Sequence, residues 1–397
     1  MRPRLIVLLA ALGAFLPLAT DGFLPAMRPM MAELGVGVGT AQLTISVTLA
    51  GFAIAQLLVG TASDRFGRRP VLILSTAIYA FASLGVAAAP SLIALLVFRF
   101  LQGFAAASGP VLMRAVVRDL CDRAQGARVL SLVGMGLGAV PLFVPLINAW
   151  VSVRFGWRAT QIVPFAYLLL TLWMTFGWYR ETLATPDPRA LSPGELGRTM
   201  RAVLTHPQAL GNILCCMFGY AGLAVWISSA PHLLLEYFRQ PPETFGVWWA
   251  IPAITYTTGG FLSARGLARY SIDTMQRAGA TVLLVGGGAL LVLLLLPRMP
   301  LAGFISAVSV YNTGWAIVQP PAQAGALAFF PHQAGRLSAV LGFLQMLGGS
   351  AVGLLFGLWH DGTPRAAAFL IAGAALATTV ARVTLAARAV GQSEAPA

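Results

Sequence analysis

Long apolar runs, broken by short polar or glycine- and proline-bearing stretches, follow one another along almost the whole chain. A helix that crosses a bilayer needs roughly 20 mainly apolar residues rising ~1.5 Å each. Six runs of that length come first: Leu5 to Met27, Thr40 to Thr61, Pro70 to Ala89, Ser91 to Val117, Val129 to Val151 and Ala159 to Trp178. Six more follow a polar stretch: Ala209 to Ala230, Phe245 to Ala264, Ala278 to Leu296, Leu301 to Phe330, Leu337 to Trp359 and Ala366 to Ala387. The pattern predicts an all-α membrane protein of twelve transmembrane helices in two six-helix bundles.

The stretch between the sixes contains Pro186, Pro188, Pro193 and Pro207, which exclude one long helix. Expected domains are therefore residues 1–180, a linker over 181–208, a second bundle over 209–390 and a tail over 391–397. Within the linker, "SPGELGRTMRAVL" begins with Ser192 as N-cap, Pro193 at the first helical position and Glu195 completing a capping box. Leu196, Met200, Val203 and Leu204 then share one face and Arg198 and Arg201 another. That reads as a short helix on the membrane surface or as a solvated connector.

Composition changes the picture in one respect, the solvent. At 58% hydrophobic residues and a mean hydropathy of +0.79, the chain exceeds the roughly 45–50% apolar usage of soluble domains. The net charge of +13 comes entirely from arginine, with no lysine. These arginines punctuate apolar segments and form no contiguous basic stripe with interleaved aromatics, so nucleic acid is not an expected partner. Cys121 and the adjacent Cys215 and Cys216 match neither a disulfide framework nor a metal-ligand spacing. No metal or cofactor is expected. "MRPR" before "LIVLLAALGAFL" has the outline of a signal peptide, but eleven further apolar segments follow it, and cleavage is not expected.

Arginine bias sets the expected orientation. With the N-terminus cytoplasmic, seventeen arginines fall inside, and only Arg28, Arg154, Arg158, Arg239, Arg298 and Arg365 fall outside. Both termini are then cytoplasmic. The halves also repeat: "GTASDRFGRR" at 60 to 69 and "GFLSARGLAR" at 260 to 269 match at Gly60/Gly260, Ser63/Ser263, Arg65/Arg265 and Arg69/Arg269. Duplicated six-helix units of this kind form transporters with their substrate sites between the halves. Paired acids, an activated nucleophile or metal ligands inside the bilayer, which an enzyme would need, are not visible.

"GTASDRFGRRP" resembles the loop signature of the major facilitator superfamily, through Gly60, Asp64, Arg65, Gly67, Arg68 and Arg69. Gly60 suits close helix approach, Gly67 a tight turn, and Pro70 a first helical turn. Asp64 is placed to bond the free N–H groups of a neighbouring helix, with the arginines on carbonyls or lipid phosphates. The resemblance implies a conformational latch. In the second copy Ala264 replaces the acid, so a weaker latch is expected there.

"DGFLP" at 21 to 25 and "RFLQG" at 99 to 103 resemble signatures of proton-coupled drug exporters in that superfamily. Asp21 is the one acid placed inside any predicted helix, and intramembrane charge is costly and functional. Arg99 lies about 12 Å in from Ser91, and Asp21 about 10 Å in from Arg28. At one level they are placed to pair across a wet cavity and to carry a proton. Pro17, Gly22 and Pro25 allow the first helix to bend there.

Together with "VVRDL" at 116 to 120, "ETL" at 181 to 183 and "FPHQAG" at 330 to 335, these motifs resemble the bicyclomycin/chloramphenicol-resistance (Bcr/CflA) family along essentially the whole chain. The resemblance implies a multi-pass, bacterial-type inner-membrane exporter, monomeric, exchanging protons for a drug or small metabolite by alternating access. Export of an endogenous product such as a siderophore, or uniport without protons, stays open. One motif departs. Where antiporters carry G-x-x-x-G-P-x-x-G-G, "VPLFVPLINAW" keeps Pro145 but has Val140, Val144, Asn148 and Ala149 at glycine positions. Asn148 is then free to bond a substrate or a neighbouring helix.

Gln102, Asn148, Tyr220, Trp226, Tyr256, Asn312, Trp315 and Gln319 are candidate cavity residues, together with Tyr311 and Gln323. Pro320 and Pro321 predict a break in the tenth segment. His206, His232, His332 and His360 fall in loops or at helix ends, which favours surface roles over proton relay.

Overall fold

The computed structural model describes residues 3–121, 125, 129, 140–187, 193–330 and 334–386. None of these lies in a strand. Two compact units emerge: Met1–Ser192 with Arg239–Val247, and Pro193–Phe238 with Trp248–Ala397.

In the first unit the opening span is broken into α1 (Pro3–Gly13), α2 (Phe15–Thr20), a 3-10 stretch (Asp21–Ala26) and α3 (Met27–Leu34), with a 41° bend after Gly13. Proline chemistry explains each break. Pro17 has no N–H to give the Gly13 carbonyl, and Pro25 has none for that of Asp21. The chain tightens into 3-10 turns where the α-bonds fail. There follow α4 (Val38–Phe66), α5 (Arg68–Ala88), α6 (Leu92–Ala106), α7 (Ser108–Leu120), α8 (Val140–Phe155) and α9 (Ile162–Trp178). Gly67, at φ +97°, makes the corner between α4 and α5 that an L side chain would strain. The predicted fifth segment began at Val129; residues 130–139 lie outside the described residues.

In the second unit lie α10 (Pro193–Thr205), α11 (Pro207–His232), α12 (Phe245–Leu267, in this unit from Trp248 onward), α13 (Ile272–Leu293), α14 (Leu301–Ala328), α15 (Ala334–Trp359) and α16 (Arg365–Ala381). Ser271 moves the start of α13 six residues ahead of its apolar run, because its hydroxyl accepts the Thr274 N–H at 3.2 Å. A π-helical turn, Leu233–Tyr237, prolongs α11. In the linker, α10 buries Thr199 and Val203 against α11 and α15 and leaves Arg198 and Arg201 exposed. Ser192 and the tail over 391–397 lie outside the described residues.

Counting α1–α3 and α6–α7 as one span each, and setting α10 aside, the described residues form twelve membrane rods. Nine are long and apolar enough to cross a bilayer outright, and the broken first span adds a tenth. The short apolar Phe143–Phe155 and the 23-residue α12 complete the set. Each unit repeats the same pairings: third rod with fourth (α5 with α6; α13 with α14), third with sixth (α5 with α9; α13 with α16) and first with fifth (Asp21–Ala26 with α8; α11 with α15). α4 and α6 meet backbone to backbone, since a Cβ on Gly103 would overlap the Thr48 carbonyl.

α14 runs unbroken through Pro320 and Pro321, where a break was expected. The Ile317 carbonyl, which Pro321 cannot serve, instead accepts the Ser263 hydroxyl of α12 at 3.1 Å. A neighbouring helix supplies the missing donor, as buried membrane backbone requires.

Candidate functional site

The broken first rod places Asp21 in the interior of the first unit, 6% exposed. Its Oδ1 accepts the Thr20 hydroxyl at 2.8 Å. Arg99, on α6, is 1% exposed and reaches the same level. The expected Asp21–Arg99 ion pair is not formed. Arg99 Nη1 instead donates to the Ala19 carbonyl at 2.7 Å and to Gln102 Oε1 at 2.8 Å. Its guanidinium stacks 4.3 Å from the Phe23 ring centroid. Bending of the rod frees backbone carbonyls, and the arginine goes to one of them. Arg99 thus grips the residues two before and two after Asp21, and its Nε and Nη2 are buried without a hydrogen bond among the described residues.

From Arg99 a buried network extends. Gln102 Nε2 donates to Ser83 Oγ at 2.9 Å and to Gln161 Oε1 at 3.0 Å, tying α6 to α5 and to the start of α9. Tyr79 donates its hydroxyl to the Phe15 carbonyl at 3.0 Å, close to the bend. Gln102 therefore spends both its amide ends on protein partners. So does the amide nitrogen of Asn148, which donates to the Gly22 carbonyl at 2.7 Å. Of the two roles open to Asn148, bonding a neighbouring helix is the one the structure displays. A side chain at a motif position normally held by glycine caps the broken rod.

The loop from Gly60 to Arg69 forms a tight charged cluster. Arg68 is buried, with Nη2 2.6 Å from Asp64 Oδ1, Nε 3.0 Å from Asp119 Oδ2 and Nη1 donating to Ser63 Oγ at 2.6 Å. The N–H groups opening α5 are capped by Glu181, while Asp64, expected to bond the N–H groups of a neighbouring helix, faces the guanidiniums of Arg68 and Arg118. Arg68 N donates to Glu181 Oε1 and Arg69 N to Oε2, both at 3.0 Å. A carboxylate astride a helix N-terminus is favoured by both orphan donors and dipole. Burial pushes the Glu181 carboxyl up, but the N–H groups of Leu183, Arg69, Arg68 and Thr182 outweigh it and hold the group below its ordinary range. Arg65 lies over Phe66. Asp119 and Glu181 were not among the expected site residues, although "VVRDL" and "ETL" contain them. At the other end of this unit Glu33 accepts Trp157 Nε1 at 2.6 Å and Arg158 Nη2 at 2.7 Å, and Arg158 also caps the Ala87 and Ala89 carbonyls.

In the second unit the candidates divide into packed and polar groups. Trp226 stacks on Trp249 at 5.4 Å; Trp315 is fully buried against Gly219, and Tyr311 donates to the Gly219 carbonyl. Tyr220 is buried against Gly349. Half-buried Tyr256 donates to Gln319 Oε1 at 2.9 Å, and two turns from Gln319 on α14 Asn312 Oδ1 is buried without a hydrogen bond among the described residues. In place of a second latch acid, Asp273 binds Arg277 at 2.8 Å and the buried Arg382 at 2.5 Å. The expectation of surface histidines is corrected at one place. His232 is buried, with Nδ1 2.7 Å from Glu236, and its ring meets that of His360 at 4.0 Å. Among the described residues no group of three or more His, Cys, Asp or Glu is arranged to hold a metal ion.

Residues 6–354 match the family model described as Major Facilitator Superfamily. The chain belongs to the major facilitator superfamily. Its relatives include the bicyclomycin resistance protein homolog of Haemophilus influenzae, 25% identical over 88% of each chain. Multidrug resistance protein D of Escherichia coli is 27% identical over 88% of this chain and 87% of its own. These relatives agree with the Bcr/CflA branch that the motifs resemble. The partially occluded, inward-open structure of the xylose transporter XylE from E. coli shares the fold, with a TM-score of 0.72 at 15% identity over 94% of this chain and 96% of that one. The protein is therefore a multi-pass membrane transporter of small molecules and not an enzyme.

Proposed function

We propose that this facilitator exports a drug or small amphipathic metabolite in exchange for protons, by alternating access, with Asp21 as the proton-carrying group. The observation that carries the reading is the setting of Asp21. It is a buried carboxyl in a broken helix, with one hydroxyl partner, no counter-ion among the described residues, and an arginine that holds the flanking Ala19 carbonyl and Phe23 ring instead of the acid. A partnered carboxylate would stay ionised in both conformations; one without a counter-ion can bind and release a proton as water reaches it. The names of the relatives support a drug-like cargo. Tyr256, Gln319 and Asn312 supply the polar groups of the second unit for it. We assign the Asp64–Arg68–Asp119 cluster to holding one end of the first unit closed, on the cytoplasmic side given by arginine bias, with the transporter acting as a monomer.

The test is proton release from inverted vesicles on addition of chloramphenicol-like, bicyclic-peptide, cationic-dye and siderophore ligands in turn, with Asp21→Asn alongside. A ligand-dependent loss of the pH gradient, absent in Asp21→Asn, is expected. A gradient equally dissipated by Asp21→Asn removes Asp21 from the mechanism. Ligand transport that leaves the gradient untouched makes the protein a uniporter.

A further inference from the structure

Beside the charged cluster of the first unit a groove of about 800 Å³ opens on the protein surface. Its chemistry is divided lengthwise. Arg69, Arg180 and Glu181 stand at one end, and from them Pro70, Ile73, Leu74 and Ala77 run down one face of α5. That i, i+3, i+4, i+7 spacing gives an unbroken apolar strip about 10 Å long. It is open to the surroundings, since Leu74 is 62% exposed.

The polar end carries unspent positive charge. Arg180 is exposed and makes no hydrogen bond or ion pair among the described residues. Arg69 gives one long hydrogen bond, 3.4 Å, to the Phe176 carbonyl and lies 5.9 Å from the centre of that residue's ring, and its Nε is buried with no hydrogen bond among the described residues. The groove's own carboxylate offsets only one of them, because Glu181 is held ionised by the N–H groups of Arg68, Arg69, Thr182 and Leu183 and stands against two guanidiniums, which leaves positive charge in excess.

We propose that this groove binds an anionic phospholipid, its phosphate held by Arg69 and Arg180 and an acyl chain lying along Ile73, Leu74 and Ala77. Charge complementarity selects the headgroup: guanidinium pairs phosphate strongly, and basic pockets at the ends of membrane helices collect acidic lipids. The apolar strip selects a lipid over a free phosphate, which has nothing to place there. The inference is independent of the cargo and of the role of Asp21. It has a consequence for the latch, because Glu181 and Arg69 belong to both, so an occupied groove stabilises the capped N-terminus of α5.

The experiment uses the full chain in nanodiscs of phosphatidylcholine, with phosphatidylglycerol titrated in and bound lipid counted by native mass spectrometry. Phosphatidylglycerol is expected to be retained in preference to phosphatidylcholine. Arg180→Gln, an exposed change that spares the fold, is expected to weaken that retention about fivefold, as roughly 1 kcal/mol per arginine near a lipid surface implies. Leu74→Gln should weaken phosphatidylglycerol while leaving binding of soluble glycerol phosphate unchanged. Arg298→Gln, an exposed arginine of the other unit that does not line the groove, should leave retention at the wild-type level. Equal retention of the two lipids, or wild-type retention by Arg180→Gln, overturns the proposal. An unaltered Leu74→Gln variant overturns the lipid assignment and leaves a phosphate site.

Discussion

Removing the guanidinium of Arg68 tests what the charged loop does for the first unit. Arg68→Met keeps the apolar stem and deletes three interactions, with Asp64 at 2.6 Å, Asp119 at 3.0 Å and Ser63 at 2.6 Å. They are unequal. The Asp64 side chain is 41% exposed, so water and salt screen that arm to at most about 1 kcal/mol. Asp119 is only 13% exposed, and its other contacts are Thr182 at 3.5 Å and Arg118 at 3.8 Å. Stripping a buried pair of one member costs about 3–5 kcal/mol, chiefly through the charge left behind. The total is about 4 kcal/mol, which for a unit of this size lowers Tm by about 8–16 °C. Thermal unfolding in nanodiscs, followed by intrinsic fluorescence, reads it directly. Asp119→Asn then separates the terms. If the abandoned carboxylate is the main cost, the double variant is at least about 1.5 kcal/mol more stable than the sum of the singles. Arg65→Met, which loses only an exposed contact with Phe66, should stay within about 0.5 kcal/mol of wild type. Strictly additive singles, or a loss for Arg65→Met equal to that for Arg68→Met, would refute the reasoning.

Gly103→Ala should destabilise by about 1–3 kcal/mol, as overpacking does, because its Cβ meets the Thr48 backbone carbonyl and not a movable side chain; a wild-type Tm would contradict it. Asn148→Leu should cost about 1–3 kcal/mol by orphaning the Gly22 carbonyl, read as a lower Tm and as faster amide exchange around residues 22–26. Ser263→Ala should loosen α14 near Pro321, since the Ile317 carbonyl loses its donor, and accelerated exchange confined to that turn is the check. Glu181 sets a pH dependence. Its folded pKa lies below the ordinary 4.5, so the folded chain binds fewer protons than the unfolded one in mild acid. Its stabilisation is complete above that range and is lost as the pH falls through it. Melting curves taken down through pH 4.5 should therefore be flatter in Glu181→Gln.

Local chemistry wrote the rods and their interruptions into the chain. Segment length and hydropathy determine where helices cross, Pro17 and Pro25 where the first rod fails, and Gly67 where α4 turns into α5. The charged loop was legible because its residues are neighbours in sequence. Tertiary structure decided the partners. Arg99 meets the Ala19 carbonyl across 80 positions, Asn148 the Gly22 carbonyl across 126, and Glu181 the Arg68 N–H across 113. In each of these a side chain satisfies a backbone group, and backbone groups look alike at every residue, so no spacing marks which one a helix break will leave open. The same reason governs Pro321. Its ring announces a lost hydrogen bond, but only the packing of α12 against α14 supplies the Ser263 hydroxyl that lets the helix run on.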